Sequence, residues 1–282
     1  MKTLDLLFVI CIVLMITAIP AFTQIINNSA VGSVESLPQN VMDAIGNQRW
    51  LFNHASVGGN IIEGMRTLHS SNPGKFKLAV SSVGFDSSNG YASAPSGGTM
   101  AGNIYECDRG NPGWEEKFNI FERSVQNGGW QASAVDVCMD KLCFIDQNAD
   151  ANTYISKMSA LESLYPDTKF VYTTIPITTS TDNDNMLRNQ YNQKVREYCS
   201  ANNKLLFDIA DIEAHDLNGN ECTFNGNMQC MFSGYSDDGG HLNQAGQQRV
   251  ALGWYAVAAS LASNGAVNTQ PLNQPVNPSS PM

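Results

Sequence analysis

Segments that read as strands alternate with segments that read as helices from Arg49 to Ser263. That alternation predicts an α/β protein, a three-layer α/β/α sandwich with a parallel sheet covered on both faces. Three observations carry the prediction. Arg49–Phe52 (RWLF) is a short apolar run that enters a tight, glycine-containing turn, Asn53–Asn60, and then the helically spaced Ile61–Leu68. Lys169–Ile175 (KFVYTTI) and Lys204–Ile209 (KLLFDI) repeat the strand signature on either side of a helix over Asn185–Ser200. The last regular segment, Ala245–Leu261, is apolar and helix-forming, with Asn243 placed as its N-cap.

The remaining elements follow in order. Met1–Gln24 has the form of a secretory signal: Lys2, an apolar run over Leu6–Ile19, then small residues near Ala21–Thr23. The run is short for a membrane span. Residues 25–45 read as a polar leader with a short helix at Val41–Ile45, and Asn27-Asn28-Ser29 is a glycosylation sequon where the host has that pathway. The main domain is expected over 46–264. Within it Phe76–Val83 is the next strand, and Gly84–Gly113 is a long Gly/Ser-rich connection of the kind that is usually functional or mobile. Lys117–Val125 is an amphipathic helix, Ala134–Ile145 a strand with Asp140 and Lys141 near its end, and Thr153–Leu164 a helix. Asp211–Gln229 reads as an acidic, Asn-rich loop; its DLNGNE is faintly similar to a calcium loop, but the ligand spacing is incomplete. Residues 265–282 form a Pro/Asn/Gln/Ser tail with the composition of a disordered segment.

A net charge of −10 with only 15% charged residues and no basic cluster argues against nucleic acid and anionic membrane surfaces as partners. Once the signal is removed with Cys11, six cysteines remain: Cys107, Cys138, Cys143, Cys199, Cys222 and Cys230. An even number in an exported chain suggests disulfides, and Cys222 with Cys230, bracketing a polar turn, is the expected pair. Cys138 and Cys143 read as buried free thiols. The expected location is secreted or periplasmic, without stable membrane association after signal cleavage.

Two places carry chemistry. Ser56 follows a strand at a helix start, where a βα turn presents a side chain at the carboxyl edge of a sheet. Asp238 lies three residues before His241, in a Gly-Gly loop ahead of the last helix. A carboxylate so placed can fix the imidazole tautomer, which a base that activates a serine hydroxyl needs. The bland alternatives are a serine N-cap and a solvated Asp/His loop. A third has Asp237, Asp238 and His241 as metal ligands. His54 reads as a residue making a fixed hydrogen bond beneath the turn. For Asp140 and Lys141 a buried structural pair competes with a place at the site.

The HASVGGN turn, the MDKLCFID strand and DGGHLNQAG together make Arg49–Ser263 similar to the SGNH/GDSL hydrolases, as a divergent branch. The resemblance implies a flavodoxin-like sheet and an esterase that acts on carboxylic esters, acetylated sugars among them, through an acyl-enzyme and without metal or organic cofactor. It makes Ser56 the nucleophile, His241 the general base and Asp238 its orienting partner. The family's Gly-Asp-Ser-Leu block is here His54-Ala55-Ser56-Val57, and its oxyanion-hole Asn is missing where Cys143-Phe144-Ile145-Asp146 stands. Gly110 is the candidate for the family's glycine donor, and Asn111 or Lys141 for the missing side-chain donor. The competing class is a secreted, non-catalytic carbohydrate-binding domain on the same fold.

Overall fold

The computed structural model describes residues 24–262. In chain order its elements are β1 (Ile25–Ile26), α1 (Asn28–Val31), α2 (Gln39–Ile45), β2 (Arg49–His54), α3 (Val57–Ser71), β3 (Ala79–Ser82), β4 (Phe85–Asp86), β5 (Tyr91–Ala92), β6 (Asn103–Asp108), α4 (Trp114–Asn127), β7 (Val137–Asp140), α5 (Ala151–Leu164), β8 (Lys169–Thr173), α6 (Asn183–Ala201), β9 (Leu206–Phe207), α7 (Ile209–Ala214), β10 (Thr223–Phe224), β11 (Met228–Gln229) and α8 (Gln244–Ala262).

Seven strands form one sheet in the order β1-β9-β8-β7-β2-β6-β3, every neighbouring pair parallel. Parallel strands need crossover connections, and the helices that provide them cover both faces. One face buries Trp50 and Phe52 of β2 against α2, α3, α7 and α8, with Trp254 wedged on both rings at 5.2 and 4.9 Å between centroids. The other buries Leu51 and Cys138 against α4, α5 and α6. The three-layer sandwich is the expected one. Within it β6 lies between β2 and β3, and β2 is interior, between β7 and β6. The chain leaves β2 toward β3 on one side and returns past it to β7 on the other, so β2 sits where connections diverge, the place where open α/β sheets bind ligands.

Residues 25–45, read from sequence as a leader, belong to the sandwich. Ile25 and Ile26 pair with Leu206 and Phe207 as an edge strand, and Val31, Val34, Met42 and Ile45 are buried in the first core. Elements of two to seven residues give too few repeats for a periodicity to show. The strand expected over Ala134–Ile145 is Val137–Asp140 alone; beyond it the chain turns through a 3-10 helix at Phe144–Asp146. The loop expected over Asp211–Gln229 begins inside α7 and closes as the β10–β11 hairpin, which the Cys222–Cys230 disulfide pins as expected. Cys107, Cys138, Cys143 and Cys199 are free and buried. The expected tail over 265–282 lies outside the described residues, as does all of the expected signal segment except Gln24. No helix among the described residues is long and apolar enough to cross a membrane.

Candidate active site

β2 delivers the chain to Ala55 and Ser56, and α3 starts at Val57. Ser56 has φ 54° and ψ −117°, in the left-handed half of the map that favours glycine. It makes no side-chain capping bond to α3. Its Oγ instead lies 2.8 Å from His241 Nε2. The turn closes tightly because Gly58 sits over His54: a Cβ on Gly58 would lie 2.3 Å from the His54 Cβ.

His241 is held from several sides. Its Nδ1 is 2.8 Å from Asp238 Oδ2, while Asp238 Oδ1 accepts the backbone N–H groups of Gly240 (2.9 Å) and His241 (2.8 Å). Those two N–H groups, then the imidazole, hold the Asp238 carboxyl far below the usual carboxylate range. The loop is fastened to α3 by Asn60, whose Oδ1 accepts the Leu242 N–H at 3.1 Å, and Ser236 Oγ donates to the His241 carbonyl at 2.6 Å. Phe144 meets the imidazole edge-on at 5.2 Å between centroids. Asn243 caps α8 as expected, accepting from Ala245 and Gly246. The site is open: the side chains of His241 and Asp238 are 46% and 58% exposed.

His54 lies beneath the turn, buried, its Nε2 2.8 Å from Glu106 Oε2. Burial lowers the imidazole's affinity for a proton. Burial alone would raise the Glu106 carboxyl, but His54, Ser82 and Arg66 hold it below its ordinary value. The pair is thus a neutral imidazole bonded to a carboxylate. Nothing local in the sequence points to Glu106, which is 52 residues away and reaches His54 through the β2–β6 pairing.

The oxyanion candidates divide. Gly110, at φ 71°, directs its N–H to Asp108 Oδ1 (2.9 Å), so that donor is occupied. Asn111 is exposed and beside the turn; its Oδ1 is 3.1 Å from Cys143 Sγ, and its Nδ2 has no partner among the described residues. Lys141 is fully buried below the turn rather than in the cleft, its Nζ 3.3 Å from the Ala55 carbonyl and 3.8 Å from Cys143 Sγ. Neither Asp140 nor Asp146 restrains it. Arg109 Nη2 lies 2.9 Å from Asp140 Oδ1, and Lys117 Nζ is 2.6 Å from Asp146 Oδ2. The buried Asp140–Lys141 pair is therefore replaced by two pairs with cations from other elements, which sequence distance hides. Ile145 is 51% exposed, and its side chain has no donor to offer.

The metal reading of Asp237, Asp238 and His241 does not fit, because Asp237 Oδ1 accepts from Asn243 Nδ2 (3.1 Å) while Asp238 and His241 bond each other. Among the described residues Asp211, His215 and Glu221 form a compact group elsewhere, but Gln229 Nε2 already donates to both carboxylates. In DLNGNE the Asp216 carboxylate is consumed by Asn218 and Asn220.

No family model matches the sequence. No curated protein matches it either. Solved structures do resemble the fold. A Bacteroides fragilis protein assigned as an acylhydrolase aligns at 12% identity over 76% of this chain and 88% of its own, with a TM-score of 0.47. A GDSL-like lipase from Bacteroides thetaiotaomicron aligns at 10% identity over 83% and 95%, TM-score 0.46. The C-terminal catalytic domain of a Streptococcus pneumoniae peptidoglycan O-acetyltransferase aligns at 12% identity over 77% and 95%, TM-score 0.42. The chain thus counts SGNH/GDSL-type proteins among its structural neighbours, at identities that mark it as distant from each.

Proposed function

We propose that this protein is an exported serine hydrolase that cleaves carboxylic esters, acetyl esters on carbohydrate among them. The observation that carries the reading is the chain of contacts Ser56 Oγ–His241 Nε2 and His241 Nδ1–Asp238 Oδ2, each 2.8 Å, on a serine held in a strained backbone conformation. His241 Nε2 would take the hydroxyl proton as Ser56 Oγ attacks the ester carbon, and return it to the departing alcohol. Asp238 would keep Nδ1 protonated and stabilise the imidazolium. Water, activated by the same nitrogen, would then clear the acyl-enzyme. The Ser56 N–H and Asn111 Nδ2 are the donors proposed for the oxyanion. The openness of the site suits a substituent on a large hydrophilic polymer, and the disulfide supports an oxidising compartment.

A fluorophosphonate probe should label Ser56, identified by peptide mapping, and Ser56→Ala should remove both the label and p-nitrophenyl acetate turnover. An unlabelled, folded protein would leave the carbohydrate-binding reading in its place.

A further inference from the structure

We propose that Lys141 and Cys143 are positioning residues that grip the Ala55 carbonyl from below and so fix and polarise the Ser56 N–H as the main backbone donor to the oxyanion. This rests on the hydrolase reading above and extends it to two side chains that do not reach substrate.

A fully buried amine has no water to donate to and must be aimed at an acceptor. The carboxylates nearest in sequence, Asp140 and Asp146, are engaged by Arg109 and Lys117. Lys141 Nζ is directed instead at the Ala55 oxygen, 3.3 Å away. The Cys143 thiol lies 3.3 Å from the same oxygen and shares its hydrogen with Asn111 Oδ1. The Gly58 N–H is a third donor at 3.0 Å. A carbonyl with two lone pairs thus meets three donors, two of them side chains from the loop after β7.

That carbonyl belongs to the same peptide group as the Ser56 N–H, which has no acceptor among the described residues. Hydrogen bonds accepted at an amide oxygen draw density from the nitrogen and make its N–H a better donor. They also block rotation of the peptide plane. At φ 54° that plane is not held by ordinary backbone preference, and a flip would put the carbonyl where the oxyanion must sit. The demand on this one N–H is high here, because Gly110 has given its own to Asp108 and no Asn stands at Ile145. Burial pushes the Lys141 amine down from its ordinary value. An amine donates in either protonation state, so the grip does not depend on its charge.

The test uses the full chain with four variants: Lys141→Met, Cys143→Ala, Cys143→Ser and Ser56→Ala. Folding is checked by thermal denaturation, and Met in place of a buried lysine is expected to fold, since a well-packed apolar replacement for a buried charge is often neutral or stabilising. With p-nitrophenyl acetate, Lys141→Met should lower kcat about 10- to 100-fold with KM within about twofold, short of the loss of a whole donor. Cys143→Ala should lower kcat in the same sense, and Cys143→Ser, whose hydroxyl donates to the same oxygen, should restore it. The Ser56 amide proton should move upfield in Lys141→Met, a change that a purely structural role would not produce. Folded Lys141→Met and Cys143→Ala proteins with wild-type kcat overturn the proposal. If Lys141→Met does not fold, the Cys143→Ala and Cys143→Ser pair decides, and equal kcat in the two overturns it. Failure of the hydrolase reading is a separate result: wild-type protein that neither takes the fluorophosphonate nor turns over the ester.

Discussion

At Ser56 the backbone stores strain for a side chain that caps nothing. A non-glycine residue in such a region costs on the order of 1–3 kcal/mol. Ser56→Gly should therefore raise the melting temperature relative to Ser56→Ala, while both are inactive; calorimetry of the two variants checks it, and equal melting temperatures would remove strain from the account. Asp238 makes the opposite kind of contribution. Its carboxylate is held ionised by two N–H groups of its own loop, so it keeps its charge through mild acid. Asp238→Asn should cut kcat roughly 10²-fold or more by losing the tautomer control, with little effect on KM or on thermal stability. Both residues were legible because each stands in a recognisable local setting, Ser56 at a strand–turn–helix junction and Asp238 three residues before His241, although Ser56 meets His241 across 185 residues. The partners of Glu106 and of the free thiol Cys143 were not, since they arrive through sheet pairing and a turn beyond a strand end.

Among the elements, α3 and α8 decide how well the two halves of the site meet, because α3 begins one residue after Ser56 and α8 three residues after His241. They cross at Gly64, where a Cβ would lie 2.2 Å from the Gln247 carbonyl oxygen. Gly64→Ala should force the helices apart and lower the melting temperature by roughly 2–10 °C. Turnover should fall with it, because Asn60 on α3 carries the loop of His241. The hairpin upstream depends on its covalent tie. Cys222 and Cys230 are eight residues apart, and closing so short a loop is worth about 2.5 kcal/mol in the chain-entropy account. Denaturation midpoints of the Cys222→Ser/Cys230→Ser protein measure that term. The long helices were readable within about four residues at each end, since each shows several turns of apolar spacing. β1, α1 and α7 were missed because their burial is decided by partners far along the chain rather than by a pattern of their own.

Over the whole molecule, the buried acids set the response to pH. Glu213 is fully buried on α7, its Oε2 accepting the Ile177 N–H at 2.9 Å, and burial raises its carboxyl to about 8; burial likewise lifts Asp140 to about 6. A carboxyl that ionises later in the fold than in the unfolded chain binds the extra proton when folded. Its contribution is complete below the unfolded value and is lost as pH climbs through the folded one. Stability should thus decline between about pH 4 and about pH 8, and Glu213→Gln should flatten the upper part of that decline in urea titrations. A steady rise in stability over that interval would contradict the assignment. The sandwich itself followed from the alternation of strand and helix signals. β6 did not, because Asn103–Asp108 stands inside the Gly/Ser-rich stretch read as one connection, and its place beside β2 depends on which crossover passes which, which no local residue records.

The edge strand β1 has one more effect. Gln24, which leads into it, and Leu261, near the end of α8, line the same hollow with Lys169 and Leu205, at the end of the sheet where the strands begin. Ser56 and His241 stand at the end where the strands finish. A partner protein fused at Gln24 or at Leu261 would therefore sit at the end of the sheet away from Ser56 and His241, and a circular permutant joining these two points would leave the Ser56–His241 edge free.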